Sequence, residues 1–255
     1  MTTAHMISDT RVLTARSLRH ILRSPDTIIT TALTPVAILL LFVFVLGGAI
    51  ETGSGGSYVD YLLPGILLIT IASGVAYTSY RLFQDMQGGM VERLQSMPIA
   101  RSSILWAHVL TSLVANLVSA GLVIGIALLL GFRSGASLGA WLAVIGILAL
   151  FTLTLTWIAV IAGLAARTVD GASAFSYPLI FLPFISSAFV PTDSMPAPVA
   201  WFARHQPVTS IVDTLRALLA QEPVGGEIVT ALGWLLGILV LAGIAAAAVY
   251  RRRLR

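Results

Sequence analysis

The sequence predicts an all-α polytopic membrane protein: six transmembrane helices, an amphipathic amino-terminal interfacial helix, a polar cytoplasmic helix between the second and third spans, and both termini in the cytoplasm. Three observations carry this. The 255 residues are 57% hydrophobic and only 10% charged, with a mean hydropathy of +0.94, whereas soluble domains carry roughly 25% charged residues. The apolar residues fall into six stretches of about the ~20 residues that cross a bilayer, which leaves a single transmembrane domain over 1–255 and no room for a soluble one. Arginines gather at alternate ends of those stretches.

Residues 1–26 are polar and basic. On a helical wheel Ile7, Ala15, Leu18, Ile21 and Leu22 share one face, with Arg16, Arg19, His20 and Arg23 opposite, as in a helix lying at the membrane interface. Arg11 falls on the apolar face. A cleavable signal peptide is not expected, because the apolar run begins too far in and is too long. The first span is 28–49, with Pro35 inside it; a Gly/Ser loop leads to the second, 60–80, with Pro64 in its first turn, where proline costs little. Residues 81–101 form the polar connection. Spans at 104–130, 138–166 and 172–190 follow; 191–226 is too polar to span, and 227–250 is the last span, before the terminal RRRLR.

With the amino terminus inside, twelve of the fifteen arginines lie on cytoplasmic segments; only Arg133, Arg204 and Arg216 do not. Several function classes are excluded or disfavoured. No cysteine is present, so neither a disulfide nor a thiolate metal site can form. No lysine is present, so the chain holds no Walker A phosphate loop and no lysine Schiff base. Asp60, Asp170 and Glu227 lie at span ends, whereas ion-driven carriers keep charge inside the membrane. Neither an HExxH zinc site nor a GxSxG nucleophile motif occurs.

Among polar residues inside spans, His108 and Asn116 lie eight residues apart, and Thr152 and Thr156 share a face. They fit either a polar path or helix-to-helix hydrogen bonding. Gly121 with Gly125, and Gly233 with Gly237, have the spacing of close helix packing. The fifth span carries Phe175, Tyr177, Phe181, Phe184 and Phe189 with Pro178 and Pro183, a kinked aromatic surface able to hold an apolar ligand or simply to pack. With Asn116, its Phe175, Tyr177, Phe181 and Phe184 are the candidate substrate path. In the central connection Gly88 and Gly89 allow a tight turn. Met90, Leu94 and Met97 then share one face of a short helix that Pro98 stops, suited to docking in a partner's groove or to lying on the membrane.

The run Asp85, Gly89, Glu92, Arg93, Leu94, Met97, Pro98 and Arg101 resembles the cytoplasmic loop of ABC-2 type transporter permeases, particularly the daunorubicin-resistance-like drug exporters. SSAFVPTDSMP at 186–196 and HQPVTSIVDTLRALL at 205–219 resemble that family's external segment, with Gln206-Pro207 where asparagine-proline is usual. The resemblance implies a half-transporter of the bacterial plasma membrane. Two permeases pair, as a homodimer or with a homologous partner, and two copies of a cytosolic ATPase bind ATP with Mg; no cofactor belongs to this chain and no nucleic acid is a partner. It further implies an ATPase-facing surface built from the amino-terminal helix (Arg16, Leu18, Arg19, Arg23) and the coupling segment (Gln84, Asp85, Gly89, Glu92, Arg93, Leu94, Pro98, Arg101). Glu92 and Arg93 would make the polar contacts. Short external re-entrant helices would carry Pro191, Met195, Pro196, Gln206, Pro207, Thr209 and Arg216. The implied function is export of a hydrophobic or amphipathic small molecule, such as a drug, antibiotic or lipid-like compound, out of the cell, with membrane lipid as a further partner. A polysaccharide or glycolipid exporter is the near alternative, and an ion-driven carrier the alternative of another class.

Overall fold

The computed structural model describes residues 3–22, 25–47, 57–90 and 101–253; for 3–5, 20–22, 25–32, 46, 101 and 253 only the backbone is described. All regular structure among these residues is helical. In chain order the elements are α1 (Thr3–Leu22), α2 (Pro25–Leu41, continued by a π-helical turn Phe42–Leu46), α3 (Tyr58–Gln87), α4 (Arg101–Leu129), α5 (Leu138–Ala165), α6 (Val169–Ala174) and α7 (Ser176–Phe181). After 3₁₀ turns at Leu182–Ile185 and Thr192–Ser194 come α8 (Ala197–His205), α9 (Pro207–Ala220) and α10 (Glu227–Arg253). Four helices among the described residues are long and apolar enough to cross a membrane, namely Tyr58–Gln87, Ser102–Leu129, Leu138–Ala165 and Glu227–Arg252. Leu33–Val45 and Val169–Ile185 are shorter apolar stretches.

The bundle is arranged around α3. Its most apolar stretch is 83% buried, against 33% for α4 and 17% for α10, and Leu62, Leu63, Ile66, Leu67, Leu68, Ile69 and Ile71 are fully enclosed. A helix apolar all round can only be stable with neighbours on every side. Here α2, α4, α5, α6, α7 and α9 supply them, while α10 packs on α5 and α9.

Two expected boundaries need correction at α3. Its start is set by a capping interaction, the Ser57 N–H donating to Asp60 Oδ2 at 3.1 Å, so Pro64 lies in the second turn rather than the first. Nor does the helix stop at Tyr80. It runs unbroken for 30 residues to Gln87, about 45 Å at 1.5 Å per residue, well beyond the ~30 Å hydrocarbon core. The first turns of the expected connection are therefore an overhang of α3. Only at Gly88 and Gly89 does the chain turn, and Gly89 adopts φ 65°, a conformation that glycine reaches without strain.

The expected fifth span, 172–190, is not one helix. Pro178 and Pro183 have no N–H to give the carbonyls of Ala174 and Leu179, so α6 ends at Ala174 and α7 passes into a 3₁₀ turn at Leu182. Ser186 then turns the chain, donating to the Pro183 carbonyl at 2.6 Å and accepting from Ala188 N–H at 3.1 Å. Beyond it, α9 is 14 residues long, about 21 Å, too short to cross. Its Val208, Ile211, Val212, Leu215 and Leu219 are buried in the main core.

Among the described residues, the glycine pairs 121/125 and 233/237 join no neighbouring helix. Beyond chain neighbours and the helix's own backbone, no described atom lies within 4 Å of a Cβ built at any of the four. They lie on helices whose Val118, Leu122, Leu236 and Val240 are exposed.

Candidate functional site

At the end where α3 overhangs and α4 begins, three helices are tied together. His108 Nε2 on α4 lies 3.2 Å from Asp85 Oδ2 on the overhang, the side chains 11% and 27% exposed. A half-buried pair such as this latches the two helices that flank the 91–100 connection. Gln84 donates its amide to the Tyr80 hydroxyl, and the Arg81 guanidinium lies over Tyr77. A cleft of about 20 Å³, room for one water molecule, opens beside the latch between Arg16, Ser17 and Met90.

α1 docks on α4 at the same end. Ser103 Oγ donates to the Met6 carbonyl at 3.1 Å, and Leu13 packs with Met86 and Met90 around Ile104. The docking face is Met6, Thr10 and Leu13, not the Ile7/Ala15/Leu18 stripe that hydropathy singles out; Ile7 is 66% exposed. Arg16 and Arg19 point outward. α1 thus has three faces: one that binds α4, one apolar and open, and one charged. Of the expected ATPase-facing residues, Gln84, Asp85, Gly89, Arg16, Leu18 and Arg19 are placed at this end, as is the backbone of Arg101. Arg23, Glu92, Arg93, Leu94, Met97 and Pro98 lie outside the described residues.

In the interior, hydroxyls bridge α3, α4 and α5. Thr78 Oγ1 donates to Ser112 Oγ at 3.0 Å, and Ser112 Oγ lies 2.9 Å from Thr156 Oγ1. Asn116 Nδ2 donates to the Ser112 carbonyl at 2.9 Å. Its Oδ1 has no N–H or O–H partner among the described residues and rests against Gly74, where a Cβ would overlap it. Asn116 is 2% exposed. Its described contacts are with Ser112 and Gly74, between packed helices, rather than with the aromatic residues.

The aromatic residues do converge. Phe184 stacks on Phe189 at 4.8 Å, Phe42 of the α2 extension meets Phe189 at 4.8 Å, and Phe181 reaches Phe184 at 6.2 Å. Tyr177 and Phe181 are each 62% exposed, so the cluster has a buried root and an open face. Phe175 is half-buried and packs against the core. Phe42 was not singled out in the sequence, where it is one apolar residue among many in the first span.

The segment after Ser186 is bolted to the start of α3. Arg216 on α9 donates to Asp213 Oδ1 at 2.7 Å, to the Ser187 carbonyl at 2.8 Å and to the Tyr61 carbonyl at 3.3 Å. Its guanidinium lies 3.9 Å from the Tyr61 ring centre. Ser187 Oγ donates to Asp213 Oδ1 at 2.6 Å. Gln206, before Pro207 at the start of α9, accepts from Val208 N–H through Oε1 and donates to the Ile185 carbonyl through Nε2. The longer glutamine thus serves as cap and strut at once. Thr209 donates to the Ala203 carbonyl and accepts from Ser187 N–H; Pro196 starts α8 by accepting from Ala200 N–H. Pro191 and Met195 flank the 3₁₀ turn Thr192–Ser194. Asp213, one helical turn before Arg216, and Tyr61 complete this lock; the Asp213–Arg216 spacing is readable in the sequence, whereas nothing there pairs Arg216 with Tyr61, 155 positions away.

Residues 8–220 match the model of the ABC-2 type transporter family. The chain belongs to the ABC-2 type transporter family. This ABC-2 permease is 27% identical over 202 residues to the daunorubicin resistance ABC transporter permease protein DrrB1 of Streptomyces coeruleorubidus, covering 76% of this chain and 69% of the relative. It is 25% identical over 249 residues to the probable doxorubicin resistance ABC transporter permease protein DrrC of Mycobacterium tuberculosis, covering 96% and 89%. The ABC-2 permease is therefore an integral membrane protein, and its relatives are named as drug-resistance permeases.

Proposed function

We propose that this chain is the membrane-spanning permease subunit of an exporter that moves hydrophobic or amphipathic small molecules out of the cell. A separate cytosolic ATPase binds ATP and Mg and supplies the energy. On this reading two permeases pair, each with one ATPase, and α2 and the 169–185 stretch complete six spans alongside the four long helices. Both termini and the 81–101 connection face the cytoplasm, and the segment from Pro191 to the end of α9 caps the outer side by short re-entrant helices.

The observation that carries the reading is the continuity of α3. One unbroken helix joins the Asp85–His108 latch to the Tyr61–Arg216 lock, 24 residues and thus roughly 36 Å apart along its axis. ATP binding closes the ATPase pair and the 81–101 connection moves with it. α3 carries that motion as a rod, because its overhang is held to α4. The open aromatic face at Tyr177 and Phe181 suits planar apolar cargo, and the drug-resistance names of the relatives support the same substrate class.

Co-purification in detergent with the cognate ATPase tests this. Wild type is expected to hold an ATP-hydrolysing complex, and Glu92→Ala with Arg93→Ala to lose it while inserting normally. Failure of wild type to bind the ATPase under any condition would refute the proposal.

A further inference from the structure

The open apolar face of α1 does not lie free in the structure. It forms one wall of a groove of about 560 Å³ whose other wall is Trp106 and Leu110 of α4. That volume is within the usual range of small-molecule sites, roughly 300–1,000 Å³. On the α1 side the groove is lined by Ile7, Arg11, Thr14 and Leu18 among others, and Arg11 is the only charged residue among the described residues that line it. Arg11 and Thr14 are three residues apart and so on one helix face. The Thr14 hydroxyl is buried and has no hydrogen-bond partner among the described residues, a state that buried hydroxyls seldom keep.

Depth decides the kind of occupant. The span of α4 begins at Ser102, so Trp106 lies about 6 Å and Leu110 about 12 Å along it. A tryptophan at the first of these depths sits at the headgroup boundary, and a leucine at the second faces hydrocarbon. A soluble partner cannot reach the floor of such a groove. A molecule with an anionic head for Arg11 and Thr14 and an alkyl tail for Trp106 and Leu110 fits both ends. A phosphate oxygen accepts from a guanidinium and a hydroxyl together, the charge-assisted arrangement that arginine favours.

We infer that the α1/α4 groove is a binding site for an anionic phospholipid, with its phosphate on Arg11 and Thr14 and one acyl chain between Ile7, Leu18, Trp106 and Leu110. The site lies beside the Asp85–His108 latch, so the lipid fixes α1 on α4 where the coupling connection starts. It does not depend on which compound is exported.

The test is quenching of Trp106 fluorescence by lipid brominated on the acyl chain, with the full-length protein in nanodiscs of phosphatidylcholine doped with brominated phosphatidylglycerol or brominated phosphatidylcholine. The Trp106 signal is taken as wild type minus Trp106→Phe. Brominated phosphatidylglycerol is expected to quench at about fivefold lower mole fraction, the equivalent of about 1 kcal/mol per cation near a lipid surface. Arg11→Ala should abolish the preference and Thr14→Val should reduce it, while Arg19→Ala, on the charged face, should leave it unchanged. Equal quenching by the two lipids would overturn the inference, as would an equal loss of preference in Arg19→Ala, which would mean diffuse attraction of α1 to the membrane. Absence of quenching by either lipid would also overturn it, placing protein, such as a second copy of the chain, in the groove.

Discussion

Replacing Gly74 by alanine tests the contact that, among the described glycines, leaves a Cβ the least room. A Cβ at this position would overlap Asn116 Oδ1, with the rest of the Asn116 amide close behind. Neither helix can yield easily, since Asn116 Nδ2 is held by the Ser112 carbonyl and the apolar stretch of α3 is 83% buried. Overpacking of this kind costs about 1–3 kcal/mol, whereas exchanging a mid-helix glycine for alanine returns up to about 1 kcal/mol of helix propensity. The net effect of Gly74→Ala is then a destabilisation of about 0–3 kcal/mol. Asn116→Ala removes the obstructing amide, and in that background Gly74→Ala should be neutral or stabilising by up to about 1 kcal/mol. The sign change is the signature, and the coupling between the two positions should be about 1–3 kcal/mol. Equilibrium unfolding in mixed SDS micelles, followed by tryptophan fluorescence, measures both. An identical cost of Gly74→Ala in the two backgrounds would refute the contact.

Two further substitutions address the other sites. Phe181→Ala removes a side chain that is 62% exposed, so stability should change by less than about 0.5 kcal/mol; ATP hydrolysis stimulated by a planar apolar compound in the assembled complex should fall while basal hydrolysis holds, and an equal fall in both would assign Phe181 to packing. Arg216→Met breaks the lock and leaves Asp213 unpaired. Because the two side chains are 22% and 34% exposed, the expected loss is about 1–3 kcal/mol, below the 3–5 of a fully buried pair, and adding Asp213→Leu should recover part of it in the same SDS titration.

What the sequence made legible follows from local physics. Apolar runs of membrane-crossing length identify α3, α4, α5 and α10, because a bilayer imposes length and hydropathy directly on the chain. Punctuation was less readable. Pro178 and Pro183 announced a kink, but whether a helix bends or breaks depends on whether neighbours replace the lost hydrogen bonds, and here Ser186 turns the chain instead. The overhang of α3 was hidden because Arg81, Gln84 and Asp85 look like loop residues. What keeps them helical is tertiary, above all His108 reaching across from α4. The same holds at the sites. Gln206 and Arg216 stand out by resemblance, whereas Tyr61 and Phe42 acquire their roles only through contacts with distant elements. On α1 the hydrophobic stripe is legible, but not that the face offering the Met6 carbonyl to Ser103 of α4 is the one that docks.

The most direct test of the account is ATP-driven accumulation of a planar apolar compound in inside-out vesicles containing this chain and its ATPase, measured for wild type and for Asp85→Ala. The account predicts uptake that requires ATP and the ATPase, survives dissipation of ion gradients, and drops at least about tenfold in Asp85→Ala, the loss of about 1.4 kcal/mol of coupling. Uptake that persists without the ATPase and collapses with an ionophore would contradict it, and would make the chain an ion-driven carrier.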